Sequence, residues 1–293
     1  MRRNFFESGG ESMRWILRLG EITLKSRPVR RFMRKSLQRH LHAQAKVRGC
    51  EINIEPYQGL LMAKLTSGEV ESAEDAFRHT FGLVAADRYL ELPLDPAAVA
   101  EEAVKSYSGE STFAVRCRRH GDKQEWNSQT FAGHTGAEVL ERIPELKVNL
   151  GDPEWAVTVS IMPDKACLIQ ERIPCAGGLP TGVQGTVFSH LRTENETFGA
   201  FMVMRRGCRI LCGDNPEPSA MEMLKRWDPY HIDKEYTESL RTAPGPGHIG
   251  KIWAVVGESA DVEADPEVPL ANLDPLVGMS PEEVEEVRAA AGL

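Results

Sequence analysis

The first 92 residues switch repeatedly between two hydrophobic periods, and this order restricts the folds that the chain can adopt. Apolar residues that recur every three or four positions indicate helices, whereas strict alternation of apolar and polar residues indicates strands. The predicted segments are, in order, a strand that begins at 14 and ends at Gly20-Glu21, a helix at 27–47, strands at 51–57 and 60–66, a helix at 70–79 and a strand at 87–91. Gln58-Gly59 marks a hairpin between the two central strands. The order predicts a ferredoxin-like unit.

The helix predicted at 27–47 has two different faces. Pro28 suits its first turn, where a missing N–H costs no hydrogen bond. One side carries the apolar residues that we expect to be buried, Val29, Phe32, Met33, Leu37 and Leu41. The opposite side carries a row of cations, Arg31, Arg34, Lys35 and Arg39. We therefore expect the helix to bury one side and to present positive charge on the other.

Charge is distributed unevenly along the chain. Residues 1–66 hold 14 Lys and Arg against 5 Asp and Glu, whereas residues 255–293 hold one Arg against 10 Asp and Glu. The whole chain carries a formal net charge of −8. A basic amino-terminal third on an acidic protein is a candidate surface for a polyanion. The alternative is a solvated helix face that binds nothing.

The rest of the chain predicts two further domains. After a proline-rich boundary the expected segments are a helix at 96–106, a strand at 112–118, a helix at 128–143 and a hairpin of strands at 155–162 and 167–172. A glycine-rich connector then leads to a strand at 185–191, a helix at 195–206 and a strand at 208–212, typical of a parallel α/β layer. We expect an α/β protein with an α+β amino-terminal half and domains at 1–93, 94–178 and 179–293.

Composition argues against several classes of protein. No apolar run approaches the roughly 18 residues that a membrane helix requires, so we expect no membrane partner. Six cysteines are scattered without a CxxC pair, which is typical of reduced thiols in a cytoplasmic protein. The eight histidines show no spacing typical of a zinc site, so we expect no metal.

Six short motifs, in a fixed order along the chain, resemble those of the tRNA 4-thiouridine synthetases. They lie at residues 20–25, 112–119, 177–182, 204–208, 257–259 and 275–279. The second motif, with the polar residues that follow it, resembles the signature of the THUMP RNA-binding domain. The third resembles the linker that leads in these enzymes from THUMP into a PP-loop ATP pyrophosphatase domain, here Gly177, Gly178, Leu179 and Pro180.

The resemblance implies an architecture and partners. It implies a ferredoxin-like domain, a THUMP domain and a small, Rossmann-like parallel-sheet domain related to PP-loop enzymes. It also implies tRNA or another structured RNA as a partner, and a homodimer in which one chain's THUMP domain presents tRNA to the other's third domain. Some members carry a rhodanese-like extension, which we do not expect here.

The resemblance and the charge together nominate ten RNA-binding residues. Six belong to the THUMP signature, Arg116, Arg118, Arg119, Lys123, Asn127 and Ser128. Because alternate side chains of a strand point to opposite faces, Arg116 and Arg118 should point together and Arg119 away from them, at the strand end. Four more would extend this surface onto the amino-terminal domain, Lys25, Arg27, Arg31 and Arg34. A solvated strand edge is the alternative.

The sequence departs from the family at the nucleotide loop. Active members carry S-G-G-x-D-S there, and the glycines let backbone N–H groups surround a phosphate. The aligned residues here are Arg192, Thr193, Glu194, Asn195, Glu196 and Thr197, with no glycine and two carboxylates that repel ATP. Thr193 and Glu196 have the spacing of a capping box, which predicts an ordinary capped helix start. We therefore expect no cofactor, ATP included.

Three functions are consistent with these features. The first is an RNA-binding protein, for tRNA in particular, without sulfurtransferase activity of its own. The second is an active tRNA 4-thiouridine sulfurtransferase that uses a divergent nucleotide site or a catalytic partner protein. The third is a non-catalytic interaction subunit whose acidic carboxyl-terminal third docks a basic partner. We expect the first, because the THUMP signature is intact while the phosphate loop is lost.

Overall fold

The computed structural model describes residues 13–122, 125–213, 215–229, 252–257 and 271–292. Its amino-terminal elements are β1 (Arg14–Leu19), α1 (Arg27–Val47), β2 (Glu51–Tyr57), β3 (Leu60–Ser67), α2 (Val70–Arg78) and β4 (Leu83–Leu92). The predicted order of strands and helices is therefore confirmed. The first strand ends at Leu19, next to its predicted end at Gly20-Glu21, and residues 21–24 then form a 3-10 turn.

The remaining elements follow the predicted alternation and add short pieces to it. The middle of the chain forms α3 (Pro96–Ala103), β5 (Thr112–Arg119), α4 (Ser128–Arg142), β6 (Lys147–Val148), β7 (Trp155–Ile161) and β8 (Ala166–Pro174). The last part forms β9 (Thr186–Ser189), α5 (Glu194–Arg205), β10 (Arg209–Cys212), α6 (Pro218–Trp227), β11 (Ile252–Val256), β12 (Ala271–Leu273) and α7 (Pro281–Ala291). The mixed α/β fold class is confirmed.

The strands form two sheets. The larger has the order β2-β3-β1-β4-β8-β7-β5-β6, in which β5 runs parallel to β7 and β7 antiparallel to β8. The smaller has the order β10-β9-β11-β12, and its pairs are all parallel. A parallel sheet needs helices on its crossovers, as α5 provides between β9 and β10. The parallel layer predicted for the last domain is therefore confirmed.

The chain divides into two compact units. Of the residues that the structure describes, one unit takes those within 13–17, 53–66 and 87–173, and the other takes those within 18–52, 67–86 and 174–292. Helices α1 and α2 thus belong to the same unit as the parallel sheet. The domain boundaries near residues 93 and 178 stay predictions.

The first unit has its core between α3, α4 and the sheet. Phe113 and Trp155, paired across β5 and β7, pack with Phe131 of α4 and Val99 of α3. All four side chains are buried, Phe131 completely. Burying large aromatic groups contributes about 1.5–3 kcal/mol per side chain, so this core fixes the position of β5.

The second unit has an aromatic core, and it also buries two polar side chains of α1. Phe81 stacks on Trp227 with ring centroids 4.7 Å apart, and Phe201 packs on the edge of the same indole at 5.1 Å. On α1 the apolar prediction fails at Val29, which is 40% exposed and lies in the first turn, beyond the buried stretch of the helix. The polar residues His40 and Gln44 are buried instead.

The described residues lack two features. No helix among them combines the length and the apolar character that crossing a membrane requires. They also contain no group of three His, Cys, Asp or Glu side chains that could hold a metal ion. The six cysteines are all free thiols.

Candidate nucleic-acid interface

Strand β5 sorts its side chains onto two faces. Phe113, Val115 and Cys117 pack against the core of the first unit. Arg116 and Arg118 therefore point to the opposite face, and both side chains are exposed. The structure thus brings these two arginines together, as alternation predicted.

Arg116 and Arg118 differ in their surroundings. The Arg116 guanidinium donates to the backbone carbonyl of Leu150, in the turn after β6. Two apolar side chains are exposed in the same segment, Val148 at 57% and Leu150 at 66%. Arg118 has no ion-pair or hydrogen-bond partner among the described residues. No contact within the described part of the chain therefore competes with an anion for this cation.

The other polar residues of the signature build the loop that joins β5 to α4. Arg119 is exposed at the strand end, and its backbone N–H donates to the Ser128 hydroxyl at 3.0 Å. Asn127 caps α4, because its Oδ1 accepts from the Thr130 N–H at 2.9 Å. These two side chains therefore hold the helix start, a local role that their residue types already favour. Lys123 lies outside the described residues.

The second set of predicted RNA contacts lies on and before α1. Arg27 and Arg31 are exposed, whereas Lys25 and Arg34 are half-buried. Burial, and then the neighbouring Arg30 guanidinium, lower the pKa of Arg34 from its ordinary value. The apolar Leu24 beside them is 86% exposed. The α1 set belongs to the second unit and the β5 set to the first.

The loop after β9 is closed by a side chain of its own helix. The Glu196 carboxylate accepts hydrogen bonds from the backbone N–H groups of Arg192, at 2.7 Å, and Thr193, at 3.0 Å. The Thr193 hydroxyl accepts from the Glu196 N–H at 3.2 Å, so the predicted capping box is confirmed. Glu196 is only 7% exposed. A buried carboxylate thus lies where backbone N–H groups converge at the helix start.

The same carboxylate fills the edge of the parallel sheet. The strand order reverses between β9 and β11, and ligands of open α/β sheets bind outside such a reversal. A Cβ on Gly257, directly after β11, would lie 2.2 Å from Glu196 Oε1. The Glu196 side chain therefore lies directly against the Gly257 backbone and occupies this edge.

The Glu194 side chain is exposed at the surface, where it forms an ion pair with the last helix. Its carboxylate pairs with Arg288 of α7 at 2.5 Å, and the side chain is 59% exposed. The Arg288 guanidinium also lies 5.8 Å from the ring centroid of Phe198 on α5. Both acidic residues of the loop thus have partners within the fold, and neither is directed at an open anion site.

The predicted linker is held by backbone hydrogen bonds. Gly177 donates to Leu83 at 2.6 Å and accepts from Gly82 at 2.7 Å, so it pairs with the start of β4. The Leu179 N–H donates to the Arg205 carbonyl at 2.9 Å. Gly178 has φ +75° and lies so close to the Arg205 carbonyl that no Cβ would fit. These glycines fix the linker in place.

Two stretches of the chain match characterised domains. Residues 14–86 match the ThiI ferredoxin-like domain, and residues 97–170 match the THUMP domain. The exposed arginines of β5 and the ferredoxin-like helix α1 lie within these matches. The class of protein that these matches define is one that contains a ThiI-type ferredoxin-like domain followed by a THUMP domain.

Its relatives narrow the class further. The chain is 28% identical over 209 residues to a probable tRNA sulfurtransferase of Methanocaldococcus jannaschii, covering 68% of this chain and 55% of that protein. It is 33% identical over 146 residues to the tRNA sulfurtransferase of Serratia proteamaculans, covering 48% and 30%. The chain thus spans about half the length, or less, of these curated relatives. Over that part, the chain is similar in sequence to tRNA sulfurtransferases.

Two solved structures share its fold. PH1313 from Pyrococcus horikoshii superposes with a TM-score of 0.74 at 21% identity, covering 96% of this chain and 100% of that one. A 4-thiouridine synthetase crystallised with RNA and bound ATP superposes with a TM-score of 0.65 at 16% identity, covering 96% and 85%. At these identities the likeness establishes the fold alone.

Proposed function

We propose that this protein binds tRNA or another structured RNA and has no sulfurtransferase activity of its own. The observation that carries the RNA-binding part is the pair of exposed arginines on the THUMP strand β5. Arg118 in particular has no partner among the described residues, so it can meet a phosphate without breaking a contact with any of them. The exposed cations of α1 supply further charge.

The absence of catalysis is proposed because of the loop after β9. ATP-dependent thiolation would require a site for the triphosphate, and the 4-thiouridine synthetase crystallised with RNA has ATP bound. Here the N–H groups of Arg192 and Thr193 are already occupied by the Glu196 carboxylate. A phosphate would have to displace a buried anion and then lie beside Glu194. The residues present do not fit the triphosphate of ATP.

A tRNA-binding titration tests the first half of the proposal. Arg118→Ala should weaken tRNA binding by about tenfold, because one charge-assisted phosphate contact contributes roughly 1.5 kcal/mol. Glu101→Ala, an exposed substitution on α3, is the matched control and should leave the affinity unchanged. Equal affinities of wild type and Arg118→Ala would remove β5 from the interface.

An ATP–pyrophosphate exchange assay with saturating tRNA tests the second half. We expect no exchange above the background of a boiled sample. The relatives' names support the competing hypothesis, an active tRNA 4-thiouridine sulfurtransferase with a divergent nucleotide site or a catalytic partner protein. Robust exchange by the purified chain alone would establish that hypothesis instead. Exchange that appears only with a cell extract would indicate the catalytic partner.

Two further properties belong to the proposal. A homodimer is proposed because the family resemblance pairs one chain's THUMP domain with another chain's third domain, and light scattering on the purified chain measures it. A cytoplasmic location is proposed because six free thiols suit a reducing compartment. The third hypothesis is a non-catalytic subunit that docks a basic partner. It predicts instead that a pull-down recovers this partner at low salt and loses it at high salt.

A further inference from the structure

An aromatic side chain lies at the surface directly before α4. Trp126 precedes the capping residue Asn127, and its side chain is half-buried, with one part packed against the core of the first unit. The indole N–H has no hydrogen-bond partner among the described residues. Tryptophan is enriched at interfaces because it combines a large apolar body with a polar N–H that can reach a partner. Trp126 thus presents apolar surface and an unused donor to the outside.

Two aromatic neighbours fix the direction of the Trp126 ring. The buried Phe131 lies edge-on to it, with centroids 5.5 Å apart and ring planes at 90°. His134, exposed one turn further along α4, lies at 5.2 Å with ring planes at 72°. Among the described residues, no aromatic ring stacks in parallel on the indole. A planar group can therefore stack on Trp126 without displacing an aromatic neighbour.

A cation lies at the same end of β5 and on the same side of the strand. The Arg119 N–H donates to the Ser128 hydroxyl at 3.0 Å, which joins the last residue of β5 to the start of α4. Alternation along the strand places Arg119 on the face that carries Val115 and Cys117, the face covered by α4. Because β5 ends there, the Arg119 side chain is exposed instead of buried.

The charges around Trp126 favour a base over a phosphate at the ring itself. Asp122 and Glu125, in the loop that leads to Trp126, are acidic and exposed. A phosphate directly on the indole would approach these carboxylates, whereas an uncharged nucleobase would not be repelled. Arg119 remains the cation on this side of β5 that a neighbouring phosphate can reach.

We propose that Trp126 and His134 form an aromatic platform for one unpaired nucleobase of the bound RNA, with Arg119 on the adjoining phosphate. Proteins read RNA mainly at unpaired bases, which they stack on aromatic side chains, whereas the bases of a duplex are stacked on each other. The platform therefore selects a single-stranded segment. This inference rests on the proposed RNA-binding function. It adds two uncharged residue types to a surface otherwise defined by cations.

Tryptophan fluorescence detects stacking on the platform. Of the five tryptophans, Trp15, Trp155 and Trp227 are buried, so Trp126 is better placed to respond to a ligand. A single-stranded RNA oligonucleotide of mixed sequence should quench the emission of the wild-type chain. Trp126→Leu should lose that quenching, and a blunt RNA duplex of the same length should cause little. Equal quenching of the wild type and Trp126→Leu would overturn the platform.

Affinities separate stacking from charge. Trp126→Leu keeps apolar packing on Phe131 but removes the ring, so it should bind the single strand about tenfold more weakly. The dependence of affinity on salt should keep its slope, because no phosphate contact is lost. His134→Ala changes an exposed side chain and should leave the melting temperature in place. Its affinity for the single strand should still fall, by about threefold.

A second half-buried aromatic residue of the same core provides the matched control. Tyr107 packs on Trp155 at 5.6 Å, near the amino end of β5 and away from the platform. Tyr107→Leu should bind the single strand as the wild type does.

Three outcomes would overturn the platform while RNA binding stands. They are wild-type affinity in both Trp126→Leu and His134→Ala, a loss that is equal for single strand and duplex, and a loss as large in Tyr107→Leu as in Trp126→Leu. A wild-type chain that binds neither single strand, duplex nor tRNA would overturn the proposed function itself.

Discussion

At the scale of single residues, Glu196 combines a role that the sequence predicts with one that it cannot. The spacing of Thr193 and Glu196 predicts a capping box, and the hydrogen bonds confirm it. The additional bond from the Arg192 N–H and the contact with Gly257 depend on the loop conformation and on a strand far along the chain. Local spacing therefore identifies the cap, whereas the occupation of the sheet edge requires the tertiary structure.

Replacing both acidic residues of this loop should affect stability and not RNA binding. Glu194→Ala with Glu196→Ala removes half of the capping box and two favourable charge–dipole interactions, which together contribute about 1 kcal/mol. Thermal melts should therefore shift downward, while the tRNA titration should match wild type. Unchanged melting together with lost thiolation in a complementation test would show instead that the loop is a divergent active site.

His40 was not predicted to be buried, because it lies among the polar residues of α1. Its Nε2 lies 3.2 Å from the Trp227 carbonyl, and the side chain is 2% exposed. Burial, opposed by the nearby Asp228 carboxylate, lowers the pKa of His40 to about 4. The folded protein therefore keeps this imidazole neutral well below the pH at which the unfolded chain protonates it.

This difference predicts a loss of stability in acid. Between the unfolded pKa of about 6.5 and the folded pKa of about 4, the unfolded chain binds one more proton than the folded chain. The His40 contribution is complete above this window and falls as the pH falls through it, by at most about 1.4 kcal/mol per pH unit. The free energy of unfolding, measured with denaturant, should fall less between pH 7 and pH 5 in His40→Gln than in wild type. Parallel profiles would contradict the burial argument.

At the scale of elements, α1 shows what hydrophobic periodicity can and cannot predict. Its bounds and its exposed cations, such as Arg31, agree with the sequence pattern, because both follow from a period of 3.6 residues. The burial of Gln44 does not follow from this pattern, because its amide donates hydrogen bonds to the ends of other helices. It donates to the carbonyls of His79, at 2.8 Å, and Trp227, at 3.0 Å, at the ends of α2 and α6. The two-residue strand β6 was missed because it is too short to show a period.

Removing the Gln44 amide should destabilise the second unit. Gln44→Leu keeps most of the side-chain volume but leaves two helix-terminal carbonyls without this donor, at a cost of about 1–3 kcal/mol for each buried group left unsatisfied. The midpoint of urea unfolding should fall by the corresponding amount. The exposed substitution Gln170→Ala provides the control and should leave the midpoint in place. A Gln44→Leu midpoint equal to wild type would mean that the carbonyls find other donors.

At the scale of the whole molecule, basic and acidic residues concentrate in different parts of the chain. The basic residues concentrate in the first 66 positions, which include α1, while the last 39 residues carry a balance of −9. The fold class followed from element order, and the proposed RNA-binding region was predicted from a local signature. The pairing of α1 and α2 with the parallel sheet in one compact unit did not, because it depends on contacts between distant segments.

The salt dependence of tRNA binding tests the central claim most directly. For the wild-type chain, the logarithm of affinity should fall linearly with the logarithm of salt concentration, with a slope of about 0.7–0.9 per neutralised phosphate. The slope should decrease by about one such step in Arg118→Ala and by about two in the double variant Arg27→Ala with Arg31→Ala. An affinity that does not change with salt, or one slope shared by all three proteins, would contradict RNA binding through these cations.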